Sequence, residues 1–104
     1  MMNSKVLSLL GLCMKAGFLS TGEIAVESSI KNRKANIVIL ANNASSNTSK
    51  KFENSAKFYN IKLIRYSVKE ELGRAIGKAE RSVLAVCNEG FANKLITIIE
   101  NEAQ

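Results

Sequence analysis

The 104-residue sequence contains no histidine, no proline and no tryptophan. The absence of histidine excludes Ser-His and Cys-His catalytic dyads, zinc sites with imidazole ligands and acid–base catalysis by imidazole. The apolar runs are too short to span a bilayer, so no membrane partner is expected. Lys5 is the only basic residue near the N-terminus, and no small-residue cleavage site follows Leu12. We therefore expect a cytoplasmic protein without a signal peptide.

Cysteine is also scarce. Cys13 and Cys87 lie far apart in the sequence, each within an apolar segment. This placement favours two buried small hydrophobic side chains over a disulfide or a pair of metal ligands. The sequence therefore predicts no metal site.

The remaining candidates for catalysis are weak. Glu70-Glu71 and Glu100 with Glu102 fit solvated helix positions better than a convergent acid–base pair. The segment 73–78 resembles part of a phosphate-binding loop, but it follows a predicted helix and lacks the Ser or Thr of that motif. The sequence therefore predicts neither an enzyme nor a cofactor site.

A basic excess is the main feature of the composition. Lys and Arg number 15 against 9 acidic residues, which gives a net charge of +6 and a pI of about 9.6. Such an excess in a small protein favours contact with phosphate backbones. The length and the 46% hydrophobic content fit one folded domain that covers residues 1–104.

Helical and strand patterns alternate along the whole chain. Apolar residues at helical spacing predict five helices. Ser67 and Glu70 form a capping-box pattern, which predicts the start of the fourth helix. Gly73, inside that helix, indicates close backbone packing. The first helix is predicted to begin at about Ser4, and the second at Thr21 or Gly22 with Lys31, Arg33 and Lys34 at its end. The third is predicted to begin near Asn47 or Thr48, capped by Ser45, Ser46 or Asn47. Ser67 is the predicted cap of the fourth helix and Asn88 that of the fifth. The predicted strands are 37–40, 61–66 and 82–87, with a brief strand or turn at 18–20. This order predicts a three-layer α/β/α sandwich around a small mixed sheet of about four strands.

Three segments rich in small polar or basic residues are expected at one edge of that sheet. They are 20–23, 42–48 and 77–81. Helix N-termini attract phosphate, and an Asn side chain can pair with the edge of a base, so together these segments favour nucleic-acid binding. Each has a simpler interpretation when taken alone: helix capping, a solvated loop or an ordinary turn.

Three further stretches carry a resemblance to a known family. They are ANIVILANN at 35–43, ELGRAIGKAERSVLAV at 71–86 and NEGFANKL at 88–95. In this order and spacing they resemble the ribosomal L7Ae/L30e superfamily, and its bacterial YlxQ-type members in particular. The likeness extends from the first helix to Leu95 or beyond.

The resemblance implies an α/β/α sandwich that binds kink-turn RNA, a sharply bent helix–internal loop–helix element. The loop and helix start after the first strand would enter the widened groove at the kink. The loop before the last strand would enclose an extruded base, and Lys69 would meet backbone phosphate. The residues that this resemblance assigns to RNA binding are Thr21, Gly22, Glu23, Ile24, Asn42, Asn43, Ser45, Lys69, Gly77, Lys78, Ala79, Glu80 and Arg81.

The first of these elements departs from the family pattern. Archaeal members carry Gly-x-Asn-Glu-x-x-Lys there, whereas Gly22 is followed by Ile24, Ala25 and Ser28 at the positions of Asn, Glu and Lys. Binding would then depend more on shape, on the helix dipole and on Lys and Arg contacts. We expect a monomeric, ribosome-associated protein whose partner is structured RNA. The alternative is a protein-interaction module that has kept the fold and lost RNA binding.

Overall fold

The computed structural model describes residues 4–102, and helices and strands alternate along them. The elements are α1 Lys5–Lys15, β1 Leu19–Thr21, α2 Glu23–Lys31, β2 Ile37–Leu40, α3 Ser46–Phe58, β3 Lys62–Arg65, α4 Lys69–Ala75, β4 Val83–Val86 and α5 Glu89–Glu102. The predicted order of elements is confirmed, including the very short first strand.

The four strands form one mixed sheet in the order β1-β4-β2-β3. Strand β4 is antiparallel to both β1 and β2, whereas β2 and β3 are parallel. The register places Thr21 opposite Leu84, and Leu40 opposite both Val83 and Arg65. The C-terminal ends of β1, β2 and β3 therefore lie beside the N-terminal end of β4. We call this side of the sheet the loop end, and the opposite side the far end.

Helices cover both faces of the sheet. Strand β2 is buried on both sides, and its side chains alternate between two hydrophobic clusters. Ile37 and Ile39 pack with residues of α1, α4 and α5, while Val38 and Leu40 pack with residues of α2 and α3. This arrangement confirms the predicted three-layer α/β/α sandwich.

Local capping explains where two of the helices begin. The hydroxyl of Ser45 accepts a hydrogen bond from the backbone N–H of Thr48 at 3.2 Å. The side-chain oxygen of Asn88 accepts one from the N–H of Phe91 at 2.9 Å. Both contacts satisfy a first-turn donor that has no partner within its own helix. Asn88 is therefore confirmed as the cap of α5. Ser45, one of three candidates, is the cap of α3, which begins at Ser46 rather than at Asn47 or Thr48.

The start of α4 differs from the prediction. The N-cap residue is Val68 rather than Ser67, and the side chain of Val68 makes no capping hydrogen bond. Ser67 lies in the left-handed region with φ of 61°, and its hydroxyl donates to the carboxylate of Glu71 at 2.5 Å. The predicted capping box is therefore wrong, because Ser67 does not have the extended conformation that an N-cap requires.

The end of α2 is also earlier than the basic residues predict. The helix ends at Lys31, and Arg33 takes a left-handed conformation with φ of 58°. Arg33 and Lys34 therefore lie beyond the helix and are exposed.

Gly73 allows α4 to contact the loop that precedes β4. A Cβ at this position would overlap the carbonyl oxygen of Ala79 and would lie 2.8 Å from Cα of Glu80. The N–H of Lys78 donates to the carbonyl of Gly73 at 2.9 Å. The close packing predicted for Gly73 is confirmed, and it fixes the path of the 77–81 loop.

The two cysteines are free thiols in different surroundings. Cys13 is fully buried, as predicted, and Cys87 is half-buried. Burial, and then the neighbouring Cys87, raise the pKa of Cys13 to about 11. Among the helices formed by residues 4–102, none is long and apolar enough to cross a membrane.

We expect Gly73→Ala to lower the free energy of unfolding by about 1–3 kcal/mol, because the new methyl group meets backbone atoms that cannot move independently. Urea denaturation monitored by circular dichroism measures this change. The control is Gly90→Ala in α5, whose new Cβ would meet only a side-chain oxygen of Asn88 at 3.3 Å. Equal stability of the two variants would contradict the tight contact at Gly73.

Candidate nucleic-acid interface

Three helices begin at the loop end of the sheet. Helices α2, α3 and α4 follow the C-terminal ends of β1, β2 and β3, and the 77–81 loop leads into β4 beside them. The three segments singled out from the sequence are therefore brought together. Each helix N-terminus carries about half a unit of positive charge, so this side of the molecule attracts anions.

Gly22 shapes the junction between β1 and α2. Its φ of 89° and ψ of 160° are accessible only to glycine, although the space around a Cβ would be empty. Its own N–H donates to the carbonyl of Val83 at 3.3 Å. The first-turn N–H groups of residues 23–25 have no acceptor within the helix, so these, rather than that of Gly22, are the donors presented to a ligand.

A concave surface lies on each side of this junction, and both contain Thr21, Gly22 and Glu23. One cavity of about 330 Å³ extends to residues 80–83, and a more open one of about 690 Å³ extends along α2 to Ser28. Ile24, which is 87% exposed, stands on the wall of the second. A polymeric ligand can therefore approach the start of α2 from both sides.

Glu23 connects α2 to α3. Its carboxylate accepts a hydrogen bond from the hydroxyl of Thr48 at 2.9 Å and lies 3.8 Å from the ammonium of Lys51. Its position in the first turn of α2 is also favoured by the helix dipole. These contacts hold the start of α2 against α3, so the carboxylate of Glu23 is engaged within the protein. Sequence reasoning missed Thr48 and Lys51, since neither is near Glu23 in the chain.

Asn43 supplies the missing cap of α4. Its side-chain oxygen accepts a hydrogen bond from the N–H of Lys69 at 2.8 Å, and its amide nitrogen donates to Glu70 at 3.0 Å. This second bond, above all, lowers the pKa of Glu70. Both ends of the Asn43 amide are thus used within the protein, in contrast to the expectation that it faces a groove of RNA.

The neighbouring polar residues have different roles. Asn42 is exposed, and within residues 4–102 its side-chain amide makes no hydrogen bond. Ser45 caps α3 and also donates its hydroxyl to Thr48 at 3.0 Å. Of the three predicted residues in this segment, Asn42 is the one whose amide is available to a base or phosphate.

Arg81 holds the 77–81 loop in place. Its Nε donates to the hydroxyl of Thr21 at 2.9 Å, and one terminal nitrogen donates to the carbonyls of Ala79 and Glu80 at 3.2 and 3.0 Å. The side chain is half-buried. Its guanidinium therefore joins the loop to the end of β1 instead of standing free.

The cations at the loop end differ in whether they form ion pairs within the protein. The ammonium of Lys69 lies 3.8 Å from the carboxylate of Glu80, a partly exposed pair that is worth little in stability. Lys78 is exposed, and its ammonium makes no ion pair within the described part of the chain. Among the predicted site residues, three cations stand against the carboxylates of Glu23 and Glu80. These five side chains contribute only about one net positive charge, which Glu70 and Glu71 in the first turn of α4 oppose. The attraction for anions therefore comes mainly from the helix N-termini.

Comparison with known proteins agrees with this architecture. Residues 4–96 match the model of the Ribosomal protein L7Ae/L30e/S12e/Gadd45 family. The chain belongs to this family. RNA-binding protein YlxQ of Bacillus subtilis (strain 168) is 41% identical over 92 residues, which are 88% of this chain and 92% of the relative. RNA-binding protein YlxQ of Enterococcus faecium is 40% identical over 96 residues, 92% of each chain. The resemblance noted from the sequence is confirmed.

Two solved structures show the same fold. A protein of unknown function from Bacillus halodurans superposes with a TM-score of 0.90 at 40% identity, covering 94% of this chain and 99% of that one. The 15.5kD RNA binding protein of Giardia lamblia superposes with a TM-score of 0.78 at 17% identity, covering 96% and 89%. At that identity the second likeness concerns the fold alone.

We expect Asn43→Ala to destabilise the protein by about 1 kcal/mol, because α4 loses its only side-chain cap. The pKa of Glu70 should rise towards its ordinary value in this variant, as followed by NMR titration. Because that pKa is lowered in the folded protein, its contribution to stability is present above the unfolded-state pKa and is lost as the pH falls. This acid-side loss should be smaller in the variant.

The control for this experiment is Asn42→Ala, which removes an amide with no partner in residues 4–102. It should leave both the stability and the pKa of Glu70 unchanged. If the Asn43 variant behaved in the same way, the capping role of Asn43 would be refuted.

Proposed function

We propose that this chain is a non-enzymatic RNA-binding protein that uses the loop end of its sheet to bind kink-turn-like structured RNA. The observation that carries the proposal is the near full-length likeness, at about 40% identity, to two relatives named as RNA-binding proteins. The convergence of three helix N-termini with the 77–81 loop supports the location. We further propose that the protein acts as a cytoplasmic monomer on a structured cellular RNA, ribosomal RNA being the first candidate.

Two sets of groups would contact the RNA in this proposal. At the α2 start, the free N–H groups of residues 23–25 would meet the kinked backbone and the edges of bases, and Ile24 would pack in the widened groove. Asn42 would add a donor and an acceptor from the neighbouring segment. In the 77–81 loop, Lys78 would neutralise a phosphate, and Ala79 with the loop backbone would pack on an extruded base. Lys69 would add a second phosphate contact.

Recognition of this kind depends on shape more than on sequence. The Asn, Glu and Lys of the archaeal pattern are absent, and Asn43 and Arg81 are occupied by contacts within the protein. The groups that remain are mainly backbone donors and cations, which position RNA without reading its bases. Such contacts distinguish a bent, widened groove from a regular A-form helix.

The same observations give the second candidate its support. A chain that lacks the archaeal side chains and carries four carboxylates at the loop end (Glu23, Glu70, Glu71 and Glu80) could serve as a protein-interaction module on this fold. Salt dependence separates the two functions. Phosphate contacts make the logarithm of the association constant fall steeply with the logarithm of salt concentration, whereas an apolar protein interface is much less sensitive.

We expect the protein to bind a kink-turn duplex at least about tenfold more tightly than a straight duplex of equal length, a difference of about 1.4 kcal/mol. The reason is that the loop end fits a widened groove and a regular A-form helix offers none. Fluorescence anisotropy at several salt concentrations measures both affinities. Equal affinities for the two duplexes would reject shape-specific recognition.

We expect Lys78→Ala to weaken kink-turn binding, to reduce its salt slope by about one, and to leave thermal stability unchanged, because the ammonium is exposed. Arg81→Ala should weaken binding and also lower the free energy of unfolding by about 1–3 kcal/mol, because it removes three hydrogen bonds. Titration together with thermal melting distinguishes the two effects.

The matched control is Lys94→Ala, which removes the same charge from the exposed face of α5. It should bind kink-turn RNA as the unsubstituted protein does. A loss as large as that of Lys78→Ala would mean that net charge, rather than the 77–81 loop, determines affinity.

A further inference from the structure

Phe58, at the C-terminal end of α3, is the most exposed aromatic side chain of the protein. It is 81% exposed, whereas Phe52 in the same helix is fully buried. The next most exposed aromatic, Phe18, is only 38% exposed. A single exposed ring needs no special explanation, so its surroundings decide whether it has a role.

The ring of Phe58 belongs to an ordered group. Its centroid lies 4.9 Å from that of Tyr59 in an edge-to-face arrangement with an interplanar angle of 76°. The guanidinium carbon of Arg33 lies 5.6 Å from the centroid of Tyr59. Such contacts each add about 0.5–1.5 kcal/mol and hold the three side chains in a fixed relation. We call this group, together with Lys34 and Lys57, the aromatic–basic strip.

The charge of the strip is positive and unpaired. Arg33, Lys34 and Lys57 are all exposed, and none makes an ion pair within the described residues. The C-termini of α2 and α3 each carry about half a unit of negative charge, which Lys31 and Lys57 offset in the last turns. The charges of Arg33 and Lys34 are therefore in excess.

The strip lies away from the loop end. Helix α3 begins at the loop end with Ser46 and contains 13 residues. At a rise of about 1.5 Å per residue, its two ends are roughly 18 Å apart. An RNA held at the α2 start therefore leaves Phe58 free for a different contact.

An exposed aromatic face flanked by cations suits single-stranded nucleic acid. Bases stack on such rings and phosphates meet the neighbouring charges, with little preference for sequence. A protein partner would need a broader apolar surface, but Lys57 precedes Phe58 in the chain, Lys34 follows Arg33, and all three cations are exposed. The chemistry of the strip therefore favours RNA over protein.

We propose that the aromatic–basic strip is a second RNA-contact site, which takes a single-stranded segment. One base stacks on Phe58, and the adjoining phosphates lie against Lys57 and the pair Arg33 and Lys34. The choice of RNA as the ligand rests on the proposed function, whereas the site itself is separate from the loop end.

The test uses the full chain with two probes: a labelled single-stranded oligouridine of about ten nucleotides, and the kink-turn duplex. Phe58→Ala should weaken oligouridine binding about 5- to 100-fold, which corresponds to the loss of one stacked base. It should leave kink-turn affinity and the melting temperature unchanged, because Phe58 is largely outside the core. Lys78→Ala should show the reverse pattern.

Two further variants identify the interaction. Phe58→Tyr keeps an aromatic face and should retain oligouridine binding, whereas Phe58→Leu keeps an apolar side chain and should lose it. Lys34→Gln should reduce the salt slope for oligouridine by about 0.7, the value for one phosphate contact on a single strand.

Three outcomes would overturn the proposal. They are no binding of oligouridine at physiological salt, unchanged binding by Phe58→Ala, and full binding by Phe58→Leu. The last would show that an aromatic face is not needed and that oligouridine does not stack on Phe58. If the kink-turn duplex failed to bind while oligouridine binding still required Phe58, the proposed function of the loop end would fail and the strip would stand.

Discussion

The antiparallel insertion of β4 between β1 and β2 is the constraint on which the rest of the structure depends. Had β4 run parallel to its neighbours, the 77–81 loop would reach the far end of the sheet. The register with Thr21 and Leu40 instead brings that loop beside the starts of α2 and α3. The contact of Gly73 with Ala79 then fixes the loop against α4. One choice of strand direction thus assembles every element of the candidate interface.

Features encoded by neighbouring residues could be predicted from the sequence, and features that join distant segments could not. The apolar strands β2 and β4 and the caps of α3 and α5 depend on residues within a few positions of one another. The capping box failed because Asn43, which precedes Lys69 by 26 positions, supplies the acceptor. The contacts of Arg81 are not evident from the sequence because its partner Thr21 lies 60 positions away. Charge and spacing located the loop end, but they could not show which side chains are already engaged there.

The loop end and the aromatic–basic strip differ in their chemistry. The loop end contains helix N-termini, backbone donors and few free cations, so its attraction for phosphate depends little on side-chain charge. The aromatic–basic strip contains an exposed ring and excess cations, which match flexible, unpaired nucleotides. The net charge of +6 therefore reflects more than one surface, and the candidate interface alone carries only a small part of it.

The three hydrogen bonds of Arg81 also bear on the thermodynamics of binding. A flexible loop must give up conformational entropy when a ligand orders it, and that loss lowers affinity. Here the guanidinium joins residues 77–81 to β1 as the chain folds. The loop therefore loses its conformational entropy during folding and not during binding. A side chain that orders a loop within the protein can therefore increase the affinity of that loop for a ligand. A substitution of Arg81 would return the entropic cost to the binding step.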